Sequence, residues 1–197
     1  MNYKFPEIRT LDCVLPYVEG REEFVVAERD DYTVVNYNVE TPDTFRLDLN
    51  GGAARRECRG IIFNRDGVII SRPFHKFANV GQWEETQMHN IDMSIPHVIM
   101  DKADGSMIRP YYIHGEIVWG TKMGHETEVA LKAAAFVEKN LKYHLFAEKC
   151  LEEYKTPIFE YVGPDNRIVI DYEQENLILL AVRDMVTGEY HKLNKDK

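Results

Sequence analysis

In "MDKADGSMI", residues 100–108, a lysine stands two residues ahead of an Asp-Gly pair. Lys102 is a candidate nucleophile. A lysine attacks phosphorus only as the free amine, and at its ordinary pKa of about 10.4 it is almost wholly protonated at neutral pH. Burial or neighbouring cations must lower that value before it can attack. Asp104-Gly105 is expected to turn the chain just after Lys102, holding it at the end of a strand and aiming it into a cleft. The same residues also fit an ordinary hairpin shoulder, so the reading depends on partners elsewhere in the chain.

Two basic runs could supply those partners. One is "ARRECRG", with Arg55, Arg56 and Arg59; the other is "SRPFHKF", with Arg72, His75 and Lys76. The arginine fork suits phosphate or carboxylate, although either run alone also fits solvated surface charge. The formal net charge of -9 argues against broad electrostatic binding of nucleic acid. A polyanion would need a local basic groove. The 7 histidines show no zinc-ligand pattern such as HExxH, and the 3 cysteines have no metal-like spacing. Cys13, Cys58 and Cys150 are expected to be small buried thiols in a reducing compartment, which for this chain means the cytoplasm. No apolar run is long enough for a transmembrane helix, so no membrane association is expected. The start, "MNYKFP", lacks the pattern of a signal peptide.

The elements that must position these side chains are mostly strands. "EFVVAERDDYTVVNYNV" predicts two strands around an Asp30-Asp31 turn, and "DTFRLDLNGGAA" a Gly-rich loop at residues 50–52. "CRGIIFNRDGVIISRP" predicts a hairpin with its turn at 64–67. "SMIRPYYIHGEIVWGTK" predicts a second, turning at His114-Gly115, with Pro110 marking an edge or a bulge. From Glu126 to Asn140, Val129, Ala133, Phe136 and Val137 recur at helical spacing; Leu141 and Leu145 continue that helix or begin another. Beyond Pro157, "IFEYV", "RIVIDY" and "LILLAVRD" predict strands, with a turn at Gly163-Pro164-Asp165. The sum is an α+β domain rich in antiparallel strands, with a helical insertion.

"ECRGIIF", "SRPFHKFAN", "DKADGS" and "IFEYVGPDNRIVI" occur in that order. Together they resemble the bacteriophage RNA ligase 1 family of ATP-dependent RNA ligases, within the lysine nucleotidyltransferase superfamily. The resemblance covers most of residues 50–190. It implies an adenylation domain and a three-step reaction. A lysine takes AMP from ATP, passes it to an RNA 5′-phosphate, and a 3′-hydroxyl then displaces AMP to form a phosphodiester. By position Lys102 is the nucleophile. Glu160 matches the acidic residue that contacts the ribose or helps to hold magnesium. Arg59 and Lys76 match basic residues lining the nucleotide site, and Lys122, in "WGTKMG", a further lysine there. The implied cofactors are ATP and Mg2+, and the implied partners are RNA ends, with nicked tRNA as the family-level expectation. Arg167 stays open between an ion pair and a substrate contact. Phe159 is expected in the core, and Trp83 and Trp119 in the core or at its rim.

The family pattern also includes a Glu-Gly strand and a Lys-x-Lys strand downstream of "LLAVRD". Lys195-Asp196-Lys197 spells the second, but nothing before it resembles the first, and the run is read as coincidence. The expectation is therefore the N-terminal part of an adenylyltransferase domain spanning 1–197, incomplete at its C-terminal end. The competing reading is a nucleotide- or RNA-end-binding relative that performs no covalent step.

Overall fold

The computed structural model describes residues 3–193. In chain order the strands are β1 (Phe24–Glu28), β2 (Tyr32–Tyr37), β3 (Arg59–Asn64), β4 (Ile69–Ser71), β5 (Ser106–Ile113), β6 (Glu116–Gly120), β7 (Lys155–Val162) and β8 (Asn176–Asp184). The α-helices are α1 (Gly52–Glu57), α2 (Glu128–Glu138) and α3 (Leu141–Glu152). The strands form two four-stranded sheets, in the orders β1-β2-β3-β4 and β6-β5-β7-β8. Every pairing is antiparallel. The chain is thus α+β, as its patterning predicts. Among the described residues no helix is long and apolar enough to cross a membrane. The Lys195-Asp196-Lys197 run lies outside the described residues.

The predicted hairpins form, because their turn residues fit the geometry. His114 and Gly115 both have positive φ, 52° and 81°, as a tight two-residue hairpin turn requires. In the other hairpin the Asn64 side chain accepts from the backbone N–H groups of Asp66 and Val68. Pro110 sits where β5 pairs with β6 only; the pairing with β7 is confined to Ser106, Met107 and Ile108. Pro110 therefore occupies a one-sided stretch of an otherwise internal strand, where its missing N–H is tolerated.

Two helices form the insertion. Thr127 caps α2, accepting from the Ala130 N–H at 3.3 Å. The chain breaks at Lys139-Asn140, and Leu141 begins α3. Both helices bury small residues (Ala133 from α2, Ala147 from α3) toward the β6-β5-β7-β8 sheet, around Trp119, Ile108 and Phe159. Close approach by small residues explains how a helix of modest hydrophobicity packs here. A second core joins Ile8, Phe45, Cys58, Ile61 and Phe63. Tyr32, Val34, Ile62 and Tyr111 close the seam between the sheets. Phe159 and Trp119 are core residues, as expected, while Trp83 is partly buried at the rim. All three cysteines are free; Cys58 and Cys150 are buried, but Cys13 is only partly so.

One predicted strand is absent. Residues 167–172 ("RIVIDY") follow a 3-10 turn at Pro164–Asn166 and run as an irregular loop. Ile168, Val169 and Ile170 are 62%, 74% and 47% exposed. β7 already has β5 on one side and β8 on the other, so the apolar run has no free edge there. Its β-propensity loses to topology. The helix α1, which begins at Gly52 within the predicted Gly-rich loop, was not foreseen; its six residues are too few to show a period.

Candidate active site

Lys102 lies in an irregular stretch ahead of β5, which begins at Ser106, and its side chain is exposed. It is not at the strand end itself, as the sequence suggested. The link to the strand is made by its neighbours. Asp104 is 8% exposed. Its Oδ2 accepts from the N–H groups of Val169 (2.5 Å) and Ile170 (2.7 Å). Its own N–H donates to the Tyr172 hydroxyl at 3.2 Å. These two backbone N–H bonds hold the Asp104 carboxyl below its usual range. The loop predicted as a strand is therefore the strap that fixes the lysine-bearing segment.

Gly105 completes the connection. Its N–H donates to Glu160 Oε1 at 3.0 Å. A Cβ at this position would overlap the Tyr161 carbonyl oxygen on β7. Glycine in "KADG" thus lets the segment lie directly against β7 and present its amide to the carboxylate. Glu160 sits in mid-sheet, opposite Met107 of β5 and Ile178 of β8. Burial pushes its carboxyl above the usual range, and the Gly105 N–H and the charges of Lys102 and Arg59 only partly oppose this; Asp104 adds to the rise. Lys102, Asp104, Glu160 and Arg59 therefore share one electrostatic neighbourhood.

The first sheet supplies the remaining cations. Arg59 opens β3 opposite Asn36 of β2. Its guanidinium stands 4.9 Å from the Phe77 ring centroid, and its Nη1 is buried without a hydrogen-bond partner among the described residues. A buried guanidinium nitrogen left open is a donor waiting for an acceptor. Gly60, at φ 88°, packs so tightly on the Lys122 backbone that a Cβ would collide with it. That contact sets the exposed Lys122 beside the start of β3. The Lys122 ammonium is 6.0 Å and the Lys76 ammonium 5.2 Å from the Tyr37 ring centroid. Lys76 also pairs with Glu40, Nζ to Oε2, at 2.8 Å. The structure thus gathers the predicted residues into two groups. Lys102, Glu160 and Arg59 form one; Lys76 and Lys122 form the other, about Tyr37.

The remaining residues of the two basic runs are neither groove nor solvated surface. Arg55 donates to the Thr44 and Asn50 carbonyls, and Arg56 to the Phe45 carbonyl and Glu85. Arg72 and Arg183 are fully buried and converge on Glu57: Arg72 Nε to Oε2 at 3.0 Å, Arg183 Nη1 to Oε2 at 2.9 Å. Burial alone would raise the Glu57 carboxyl; Arg183 and Arg72 overcome it and hold the carboxyl low. Glu57 and Arg183 lie within "ECRG" and "LLAVRD", yet no residue pattern reveals that they meet. Arg167 resolves as an exposed ion pair with Asp171 at 3.0 Å. His75 is neutral in an aromatic box: its Nδ1 is 2.9 Å from the Tyr190 hydroxyl, and Tyr3 stacks on it. Burial, then the charge of Arg183, pushes it down to about 4.

Among the described residues no three His, Cys, Asp or Glu side chains cluster as a metal cage. Glu160 offers one carboxylate with Oε1 already accepting from Gly105. This donor set fits a magnesium ion that keeps most of its water and takes phosphate oxygens for the rest.

A family model described as RNA ligase matches residues 57–197. A Thermovibrio ammonificans protein named "Putative RNA ligase" is 35% identical over 182 residues, 92% of this chain and 46% of that protein. RNA ligase 1 of bacteriophage TS2126 is 31% identical, over 80% of this chain and 40% of its own length. The RNA ligase of Rhodothermus phage RM378 is 29% identical, over 65% and 37% respectively. The chain spans less than half the length of these curated relatives. The match spans the segments that carry Lys102, Glu160, Arg59, Lys76 and Lys122, and it shows that the chain belongs to the bacteriophage RNA ligase 1 family.

Proposed function

We propose that residues 1–197 form the N-terminal part of a nucleotidyltransferase-type adenylation domain, in which Lys102 takes AMP from ATP on the way to joining RNA ends. The observation that carries this reading is the Gly105 amide bridging the Lys102 segment to Glu160, within the field of Arg59. Lys102 Nζ attacks the α-phosphorus; the bond to the β-phosphate oxygen breaks, pyrophosphate leaves, and the ammonium proton goes to solvent. Glu160 accepts a hydrogen bond from a ribose hydroxyl and so fixes the sugar relative to Lys102. Arg59, with its open Nη1, donates to phosphate oxygens, and Lys76 and Lys122 neutralise charge toward the leaving group. Magnesium, held through Glu160 and phosphate oxygens, would shield the charge of the polyphosphate.

AMP then passes from Lys102 to the 5′-phosphate of an RNA strand, and a 3′-hydroxyl displaces it. Nicked tRNA is the substrate we favour. The test is transfer of label from α-phosphate-labelled ATP, first to protein and then to 5′-phosphorylated RNA, with GTP and DNA as competitors. Lys102→Arg keeps the charge but does not readily become a neutral nucleophile, so it is expected to lose labelling while remaining folded. Reversible nucleotide binding without covalent label would favour a binding role instead.

A further inference from the structure

Glu40 has no place in the reaction described above, yet it holds one of the cations. It lies in the loop after β2, in "NYNVETPDTF". Its Oε2 pairs with Lys76 Nζ at 2.8 Å, and the two side chains are only 24% and 14% exposed. Its Oε1 accepts from Trp83 Nε1 at 3.0 Å and from Gln82 Nε2 at 3.1 Å. The Lys76 ammonium stands 5.2, 5.7 and 6.0 Å from the ring centroids of Tyr37, Phe45 and Trp83. Its backbone is fixed as well, since the Lys76 N–H donates to the Arg56 carbonyl at 2.6 Å. The lysine is thus held in a socket of three rings closed by one anchored carboxylate. Such a charge pair, largely out of water, is weakly screened.

We propose that Glu40 is a built-in competitor for Lys76 that sets how tightly the site holds polyphosphate; this rests on the reading of Lys76 as a nucleotide contact. In the empty protein the carboxylate satisfies the ammonium. An incoming polyphosphate must share or displace it. A single carboxylate loses this contest to the several charges of a triphosphate more easily than to one phosphate. After pyrophosphate departs, Glu40 takes Lys76 back, which disfavours retention of the product. Glu40 therefore acts through Lys76 as a specificity-setting residue rather than as a catalytic one. A residue that merely braces the fold would weaken anion binding when lost; a competitor strengthens it.

The decisive variant is Glu40→Gln, whose amide oxygen still accepts from Trp83 and Gln82 but carries no charge. The probe is inorganic tripolyphosphate, titrated calorimetrically into the full chain, so that covalent chemistry does not enter. The variant is expected to bind roughly three- to tenfold more tightly, the range for one partly screened charge. The gain should vanish when Lys76→Ala is present in both members of the comparison, as coupling through that ammonium requires. Trp83→Phe, which removes one anchor of the carboxylate, gives a smaller gain and covers the case in which Glu40→Gln fails to fold. Equal or weaker binding by folded variants, with the parent binding normally, overturns the role of Glu40 and leaves the nucleotide reading intact. Failure of parent and variants alike to bind tripolyphosphate overturns Lys76 as an anion contact, and the proposal with it.

Discussion

Replacing Glu57 with Ala leaves two guanidinium groups, Arg72 and Arg183, fully buried without their carboxylate. Three contacts at 2.9–3.0 Å disappear together, as does one of the two acceptors near the Tyr3 hydroxyl, the Ala53 carbonyl remaining. Each arginine keeps carbonyl partners: Arg72 donates to Pro6 and Val186, Arg183 to Pro73 and Gly188. The guanidinium groups thus stay in place and stay charged, and water has no ready route to them. Removing one partner of a buried ion pair typically costs about 3–5 kcal/mol, a large share of a stability of about 5–15 kcal/mol. At about 2–4 °C per kcal/mol for a chain of this size, the melting temperature falls by roughly 6–20 °C. Glu57→Gln falls in the same direction, because one amide oxygen cannot serve both arginines and the NH2 faces a donor. The assay is urea unfolding with a parallel thermal melt. A loss below about 1 kcal/mol, the level of an exposed pair, would refute the idea that this buried charge cluster holds the "SRPFHKF" segment, with Lys76, against the end of β8.

Three other perturbations probe the site more locally. Glu160→Gln keeps an oxygen for the Gly105 N–H but removes a charge whose folded pKa is raised. A raised carboxylate costs stability above its unfolded pKa of about 4.3, so at pH 7 the variant melts higher while losing nucleotide binding; a lower melting temperature would contradict the sign. Gly105→Ala forces the segment away from the Tyr161 carbonyl. It should cut AMP transfer at least about tenfold, as small misplacements of reacting groups do, and unaltered transfer would show that the close approach is dispensable. His75 gives a pH signature: the unfolded chain takes up its proton near pH 6.5, the folded chain only near 4. Acid therefore favours the unfolded state across that window, by about 3 kcal/mol in total. His75→Gln should flatten the loss of stability between pH 6.5 and 4, and an unchanged slope would place the titration elsewhere.

What the sequence made legible followed from local rules. The turns at Asn64 and at His114-Gly115 dictate their hairpins through side-chain hydrogen bonds and positive φ. The helical period over Val129, Ala133, Phe136 and Val137 marks α2, and the Lys139-Asn140 break between α2 and α3 is left open by the same pattern. "RIVIDY" misled because strand propensity carries no information on whether an edge is free. The basic runs misled because the charge of an arginine says nothing about burial; Arg55, Arg56 and Arg72 resemble Arg59 in sequence and differ only in what surrounds them. Lys102 and Glu160 were read from separate motifs, and their link through the Gly105 amide was not visible, since it depends on the register of β5 against β7. Glu40 and Tyr37 had no signal at all: one is a loop carboxylate, the other a strand aromatic, and only the fold sets them against Lys76.

The most direct test is the intact mass of the chain after incubation with ATP and magnesium, beside Lys102→Ala treated alike. The account predicts a gain of one AMP in the parent alone, with the modified peptide containing Lys102. An adduct on Lys76 or Lys122, or equal modification of the variant, would contradict it.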